Sequence, residues 1–283
     1  MTTDISPKGL MAIYKALKWT PSGKVAVKIS TGEPPASNYF RPELIGDLVR
    51  HVNGTIVECN TAYGGSSAES AMHRQVAKDH GFTDIAEVDI MDEEGSIELP
   101  VVGGKNLKGN LVGAHFRNYS SFIILSHFKG HQMAGFGGTI KNVSIGIGSS
   151  SGKIRIYTGG KSDTTWMGGS QDAFTESMAE ACKSVSDALD NGENITYINV
   201  MNRLSIDRDC NGHPAEPDIH DIGILGSNDP AALDQACIDL INAAEGNESF
   251  IKRVTKLRGT HVLEHGEAIG LGNRAYRMVS LDK

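Results

Sequence analysis

Between Ser126 and Asn142 the chain reads "SHFKGHQMAGFGGTIKN", which brings two histidines, two lysines and four glycines together directly after the apolar run "SFIIL". Imidazoles near an ammonium can pass protons beside a bound anion, and glycines let successive backbone N–H groups converge on one negative group. The pattern therefore assigns His131 as general acid/base and His127 as its partner or a ligand. Lys141 becomes an electrophile, an anchor or a phosphate contact, and Gly135, Gly137 and Gly138 form the anion cradle. The spacing is not that of a Walker A loop, GxxxxGK[ST]. The bland alternative is a tight surface turn with a solvated lysine.

Other segments add to this set. Arg41, just before a helix, suits a bidentate carboxylate or phosphate contact, and Asn60 and Thr61 lie in the strand-to-helix turn "NTAYGG". In the same turn Ser67 is an alternative helix cap. "DRDCNGHPAEPDIH" gathers Asp207, Asp209, Cys210, His213 and His220, and the metal candidates among them are Asp209, Cys210, His213 and His220. Their spacing matches no closed zinc signature. Asp229, followed by proline, reads as a helix cap.

The elements that must position these residues alternate between short β-like and longer helical runs. Strands are expected at Lys24 to Ser30, Thr55 to Cys59, Ser121 to Ser126, Ile195 to Met201, Asp221 to Ser227 and Tyr276 to Leu281. Helices are expected at Arg41 to Val52, Ala68 to Gly81, Asp172 to Leu189 and Asp229 to Ala244. This alternation predicts an α/β layered fold, a mainly parallel sheet flanked by helices in a single domain over 1–283. An irregular insertion, with two lobes as the alternative, is expected near 146–171. "GIGSSSG" resembles a dinucleotide fingerprint, but "KIRIY" after it reads as a strand, which excludes a Rossmann site there. The polar segments that follow the strands, including the loop from Asp207 to His220, should share one rim.

Composition narrows the function. The 283 residues carry a formal net charge of −7 with scattered lysines and arginines, which argues against a nucleic-acid surface and for a small anionic ligand. There is no signal-like N-terminus or membrane-length apolar run, so a cytoplasmic protein with no membrane partner is expected; the oligomeric state is not legible. Four widely spaced cysteines without a CxxC pair predict no iron–sulfur cluster in this chain.

From "SHFKGHQMAGFGGTIKNVSIGIGSSSGK", together with "VKISTGEP", "YINVMNRLSID", "DIGILGSNDPAALDQACIDL" and "LEHGEAIGLG", the chain is identified as a member of the domain of unknown function 362 family. Its members are often labelled uncharacterised iron-sulfur centre proteins. Many carry a ferredoxin-like insert, which implies electron transfer. Here the corresponding "IRIYTGGKSDTTWMGGSQ" has no cysteine. A weaker resemblance, to nickel-dependent lactate racemases, lies in His131, "AGFGG" and Lys141, ten positions after that histidine. It implies that His131 is a catalytic acid/base and Lys141 the covalent anchor of a nickel-pincer nucleotide. Arg41-Pro42 is similar to an "RP" pair of that family, and "NTAYGG" to its "ATGTH" segment without the second histidine. Tyr157 stands sixteen positions after Lys141, where the racemases have a ligand histidine, which argues against that cofactor. The expected function is redox or isomerisation chemistry on a small anionic metabolite, and the alternative is a non-catalytic ligand-binding or electron-transfer accessory protein.

Overall fold

The structure is a computed structural model that describes residues 1–34, 37–206 and 216–282. In chain order its elements are α1 (Pro7–Ala16), β1 (Val25–Lys28), α2 (Pro42–His51), β2 (Thr55–Glu58), α3 (Ser70–Asp79), β3 (Val88–Ile90), β4 (Ser96–Pro100), β5 (Gly109–Gly113), β6 (Ser121–His127), β7 (Lys129–His131) and β8 (Gly135–Gly137). They continue as α4 (Thr139–Ile147), α5 (Ser150–Tyr157), α6 (Gln171–Ala188), β9 (Ile195–Met201), β10 (Gly223–Ser227), α7 (Pro230–Ala243), α8 (Glu248–Lys256) and α9 (His261–Ala268).

Six strands form one sheet in the order β10-β9-β6-β1-β2-β3, parallel except for β10, which runs antiparallel to β9. All five strands expected to share a mainly parallel sheet do so. β10 lies antiparallel on β9 at the edge, and among the described residues between the two strands there is no crossover helix of the kind that a parallel pairing needs. Strand order reverses between β1 and β6, and in open α/β sheets a crevice opens at such a point, outside the carboxyl ends.

The two faces bury separate cores because side chains alternate along each strand. Val25, Val27, Ile56, Ile123 and Leu125 pack with α1 and α2 through Leu10, Ile13, Ile45 and Leu48. Ala26, Val57, Phe122 and Ile124 pack on the other face with α4, α6 and α7, through Ile140, Met178 and Leu233 among others. Beyond this layer α9 is tied to α6 by His265 Nε2 to Glu180 Oε1 at 3.0 Å and His261 Nε2 to Glu176 Oε1 at 3.2 Å.

Local chemistry sets the helix starts. The Asp229 side chain accepts from the N–H groups of Ala231 and Ala232, with Pro230 in the first turn, as a cap at that position requires. Ser170 caps α6 by accepting from Ala173 N. The cap of α3 is Glu69, with no side-chain bond, and Ser67 lies upstream of it.

Three expectations are corrected. "KIRIY" is the body of α5, capped by the Ser149 hydroxyl, which accepts from Gly152 N. Its alternating sequence mimics a strand, yet the buried positions Gly152, Lys153, Ile156 and Tyr157 trace one helical face. The first half of the expected irregular insertion is therefore helical, and the argument against a dinucleotide site from a following strand falls. Tyr276 to Leu281 is not a strand. It runs exposed beside the N-terminal residues, with Leu281 N donating to Met1 O at 2.8 Å.

Candidate active site

A cavity of about 110 Å³ opens at the carboxyl ends of β1, β2 and β6, where strand order reverses. One water occupies about 10–15 Å³ on this measure, so there is room for on the order of eight non-hydrogen atoms. Its wall carries four lysines, Lys28, Lys129, Lys141 and Lys153, against two carboxylates, Glu33 and Glu58, among the described residues. His73, His127, Cys59, Tyr63 and Tyr157 complete the reactive part of the lining.

Lys28 ends β1 and is 1% exposed. Its Nζ donates to Glu58 Oε2 at 2.8 Å, to Asn142 Oδ1 at 3.1 Å and to the Ile29 carbonyl. Glu58 ends β2, and its other oxygen accepts from Thr31 N at 2.9 Å. This pair fastens β1 to β2 beneath the cavity. Gly146 makes room for it, since a Cβ there would lie 2.6 Å from Lys28 Nζ.

His73 projects from α3 and is buried. Asn60 Nδ2 donates to Ser70 Oγ at 2.8 Å, which turns Asn60 Oδ1 toward His73 Nδ1 at 3.3 Å. Nδ1 is thereby the protonated nitrogen, and Nε2 accepts from the Thr31 hydroxyl at 3.0 Å. Burial, the largest influence, lowers the pKa of this imidazole and keeps it neutral near pH 7. His127 ends β6, and its Nε2 lies 2.6 Å from the Asn202 carbonyl, which only accepts. In the neutral ring Nε2 therefore carries the proton and Nδ1 is the basic nitrogen.

The first turn of α4, directly after the glycine-rich loop, gathers N–H groups around an acidic side chain of the protein itself. Asp234 of α7, fully buried, accepts from Thr139 N at 2.8 Å, Ile140 N at 2.9 Å and Asn199 Nδ2 at 2.8 Å. Thr139 Oγ1 closes the network by donating to Asn199 Oδ1 at 2.8 Å. Gly138 is required here: a Cβ would stand 2.4 Å from Asp234 Oδ1. Burial raises the Asp234 carboxyl from 3.8 to about 6, against the opposing pull of its three N–H donors.

Of the residues singled out from sequence, His127, Lys141, Gly137, Gly138 and Thr61 line the cavity. His131, Gly135, Asn60 and Arg41 are outside that lining. The His131 ring is 1% exposed, and its Nδ1 accepts from the N–H groups of Met133 and Ala134 at 3.2 and 3.0 Å, closing the turn between β7 and β8. A nitrogen holding two amides is not placed to take a substrate proton. Gly135 has φ +83° and packs on Gly259, Asn60 orients His73, and Arg41 stacks on the Tyr39 ring at 4.0 Å. Asp207, Asp209, Cys210 and His213 lie outside the described residues, so the shared rim expected for their loop does too; His220 is exposed. Among the described residues no cluster of three or more histidine, cysteine or acidic side chains could hold a metal ion. Sequence reasoning missed Lys28, Glu58, His73 and Lys153.

The matching family model, domain of unknown function 362, spans residues 25–239, and the chain belongs to that family. Among solved structures it is similar to the lactate racemase apoprotein from Thermoanaerobacterium thermosaccharolyticum, with a TM-score of 0.50 at 13% identity over 85% of this chain. A Thermotoga maritima protein gives a TM-score of 0.43 at 12% identity over 93% of this chain. The chain spans 56% and 58% of the lengths of those two chains. No curated protein matches. The likeness to the first of these concerns the fold, a mainly parallel α/β sheet.

The cofactors suggested by resemblance do not fit the described wall. Cys59, Cys182 and Cys237 are each buried, with thiol pKa values pushed up chiefly by burial, and Cys59 Sγ donates to the Ile147 carbonyl at 3.3 Å. Separate protonated thiols do not frame an iron–sulfur cluster. Lys141 and Tyr157 do share the cavity, but the Tyr157 ring is stacked on Phe174 at 4.7 Å, and a phenol is a poor nickel ligand beside an imidazole. Among the described residues no helix is long and apolar enough to cross a membrane.

Proposed function

We propose that the protein is an enzyme that binds a small organic anion in this cavity and moves a proton at a carbon bearing a hydroxyl or carbonyl, in isomerisation or redox chemistry of a racemase-like kind. The observation that carries the reading is the concentration of four lysines on the wall of one small cavity in a chain whose net charge is −7. Ammonium groups in a recess of low dielectric hold an anionic substrate and stabilise charge that develops next to it. His127 is the acid/base, since it lines the cavity and Asn202 fixes its tautomer. Lys141 contributes charge at the opposite edge of the glycine-rich loop. His73, neutral and held on both nitrogens, shapes the wall. The similarity in fold to a lactate racemase apoprotein makes short 2-hydroxy acids the first substrates to try.

The test is exchange of the C2 proton of D- or L-lactate, glycolate and related 2-hydroxy acids in deuterated water, followed by NMR. The expected result is exchange with wild-type protein and a loss of about 10²- to 10⁴-fold in His127→Gln, with binding retained. Equal exchange rates in the two proteins, or no exchange with any of these acids, would defeat the proposal.

A further inference from the structure

Lys153 differs from Lys28, which is also a buried ammonium of the cavity. Lys28 has a carboxylate partner at 2.8 Å. Lys153 is 4% exposed, projects from α5 onto the cavity wall, and its Nζ donates to two backbone carbonyls, Gly148 at 2.7 Å and Cys59 at 3.4 Å. Among the described residues no carboxylate hydrogen-bonds to it. Neutral carbonyl dipoles replace only part of the hydration that a buried ammonium loses, so an arrangement of this kind weakens the fold unless another anion completes it.

Those two carbonyls also aim the ammonium. Gly148 ends α4 and Cys59 follows β2, so the donors of Nζ are held between two rigid elements. An ammonium carries three N–H bonds, and two carbonyls account for two of them. The cavity beside it, about 110 Å³, has room for a short carboxylic acid.

We infer that Lys153 is the specificity residue of the site and forms the ion pair with the carboxylate of a short organic acid. This rests on the proposed function and adds the class of ligand and the group that recognises it. The ion pair supplies a directly bonded carboxylate, which Lys153 lacks among the described residues, and α5, read from sequence as a strand, is the element that presents it.

The experiment compares wild-type protein with Lys153→Met in two measurements. The first is calorimetric titration with lactate and with inorganic phosphate. The second is the thermal midpoint of each protein without added ligand. The expected result is that wild type takes lactate in preference to phosphate, and that Lys153→Met binds lactate on the order of 10- to 100-fold more weakly. The ligand-free variant should also melt no lower than wild type, because a buried cation without a countercharge has been replaced by an apolar chain of similar length. Equal lactate affinity in the two proteins overturns the inference and leaves the proposed function standing. A variant that melts lower or fails to fold also overturns it, by making Lys153 a structural tie between α4 and β2. Phosphate preferred by wild type overturns the carboxylate assignment. Should wild type take neither probe, the carboxylate assignment fails together with the proposed function.

Discussion

Replacing Asp234 with asparagine gives a measurable test of how the glycine-rich loop is held. The carboxyl is fully buried and raised from 3.8 to about 6, with burial as the largest cause. A group whose folded-state pKa is raised binds its proton more tightly in the native state. Its contribution to stability is complete below pH 3.8 and is lost as pH rises to about 6. At about 1.36 kcal/mol per pKa unit, Asp234 alone makes the protein about 3 kcal/mol less stable at about pH 8 than at about pH 3.5. Asparagine keeps the shape and one acceptor oxygen but does not titrate. Urea unfolding of wild type and Asp234→Asn across this range cancels the other titrating groups, which both proteins share. The stability difference should shift by about 3 kcal/mol in favour of the variant as pH rises from about 3.5 to about 8. Parallel stability profiles would refute the reasoning and mean that the three N–H donors balance burial, and an opposite slope would mean that they outweigh it.

Two further outcomes follow from the cavity floor. Glu58→Gln leaves Lys28, 1% exposed, without its carboxylate, and should cost about 3–5 kcal/mol in urea unfolding; a change below about 0.5 kcal/mol would count against the pair's burial. The His73 ring, held neutral by burial, should titrate below 6.5 in ¹⁵N-detected imidazole spectra, and a midpoint at or above that value would contradict its placement.

The sheet was legible because central strands such as "SFIIL" are apolar on both faces, a pattern that polar flanks delimit clearly. The rim was legible only for the parallel strands: the turns after β1, β2 and β6 meet at the cavity, whereas β10 runs antiparallel and the segment after it lies at the other end of the sheet. The internal anion was not. Asp234 sits 95 residues from Thr139, and nothing in the loop names its partner. One signal was present, since Asp234 falls on the same helical stripe as Cys237, Ile238 and Ile241, where a carboxylate requires partners. Lys28 carried a similar sign at the end of the apolar "VAV". Lys153 was hidden by the alternation of "KIRIY", which suits either period until the Ser149 cap is recognised. His131 and His127 differ in environment and not in sequence. One closes a turn, while the other reaches the cavity.

The bond between Asp234 and the loop also bears on the order in which the molecule assembles. The strands β1, β2 and β6 are all made before α4, but the carboxylate that receives the first two N–H groups of α4 arrives only with α7. As the chain leaves the ribosome, the segment from Gly135 to Ile140 can find neighbouring strands early and its own anion only much later. Closing a loop of that length is slow relative to local pairing. The carboxyl ends of the strands are thus in place before the surface that completes them, and a nascent chain holds an unfinished crevice until its last third has docked.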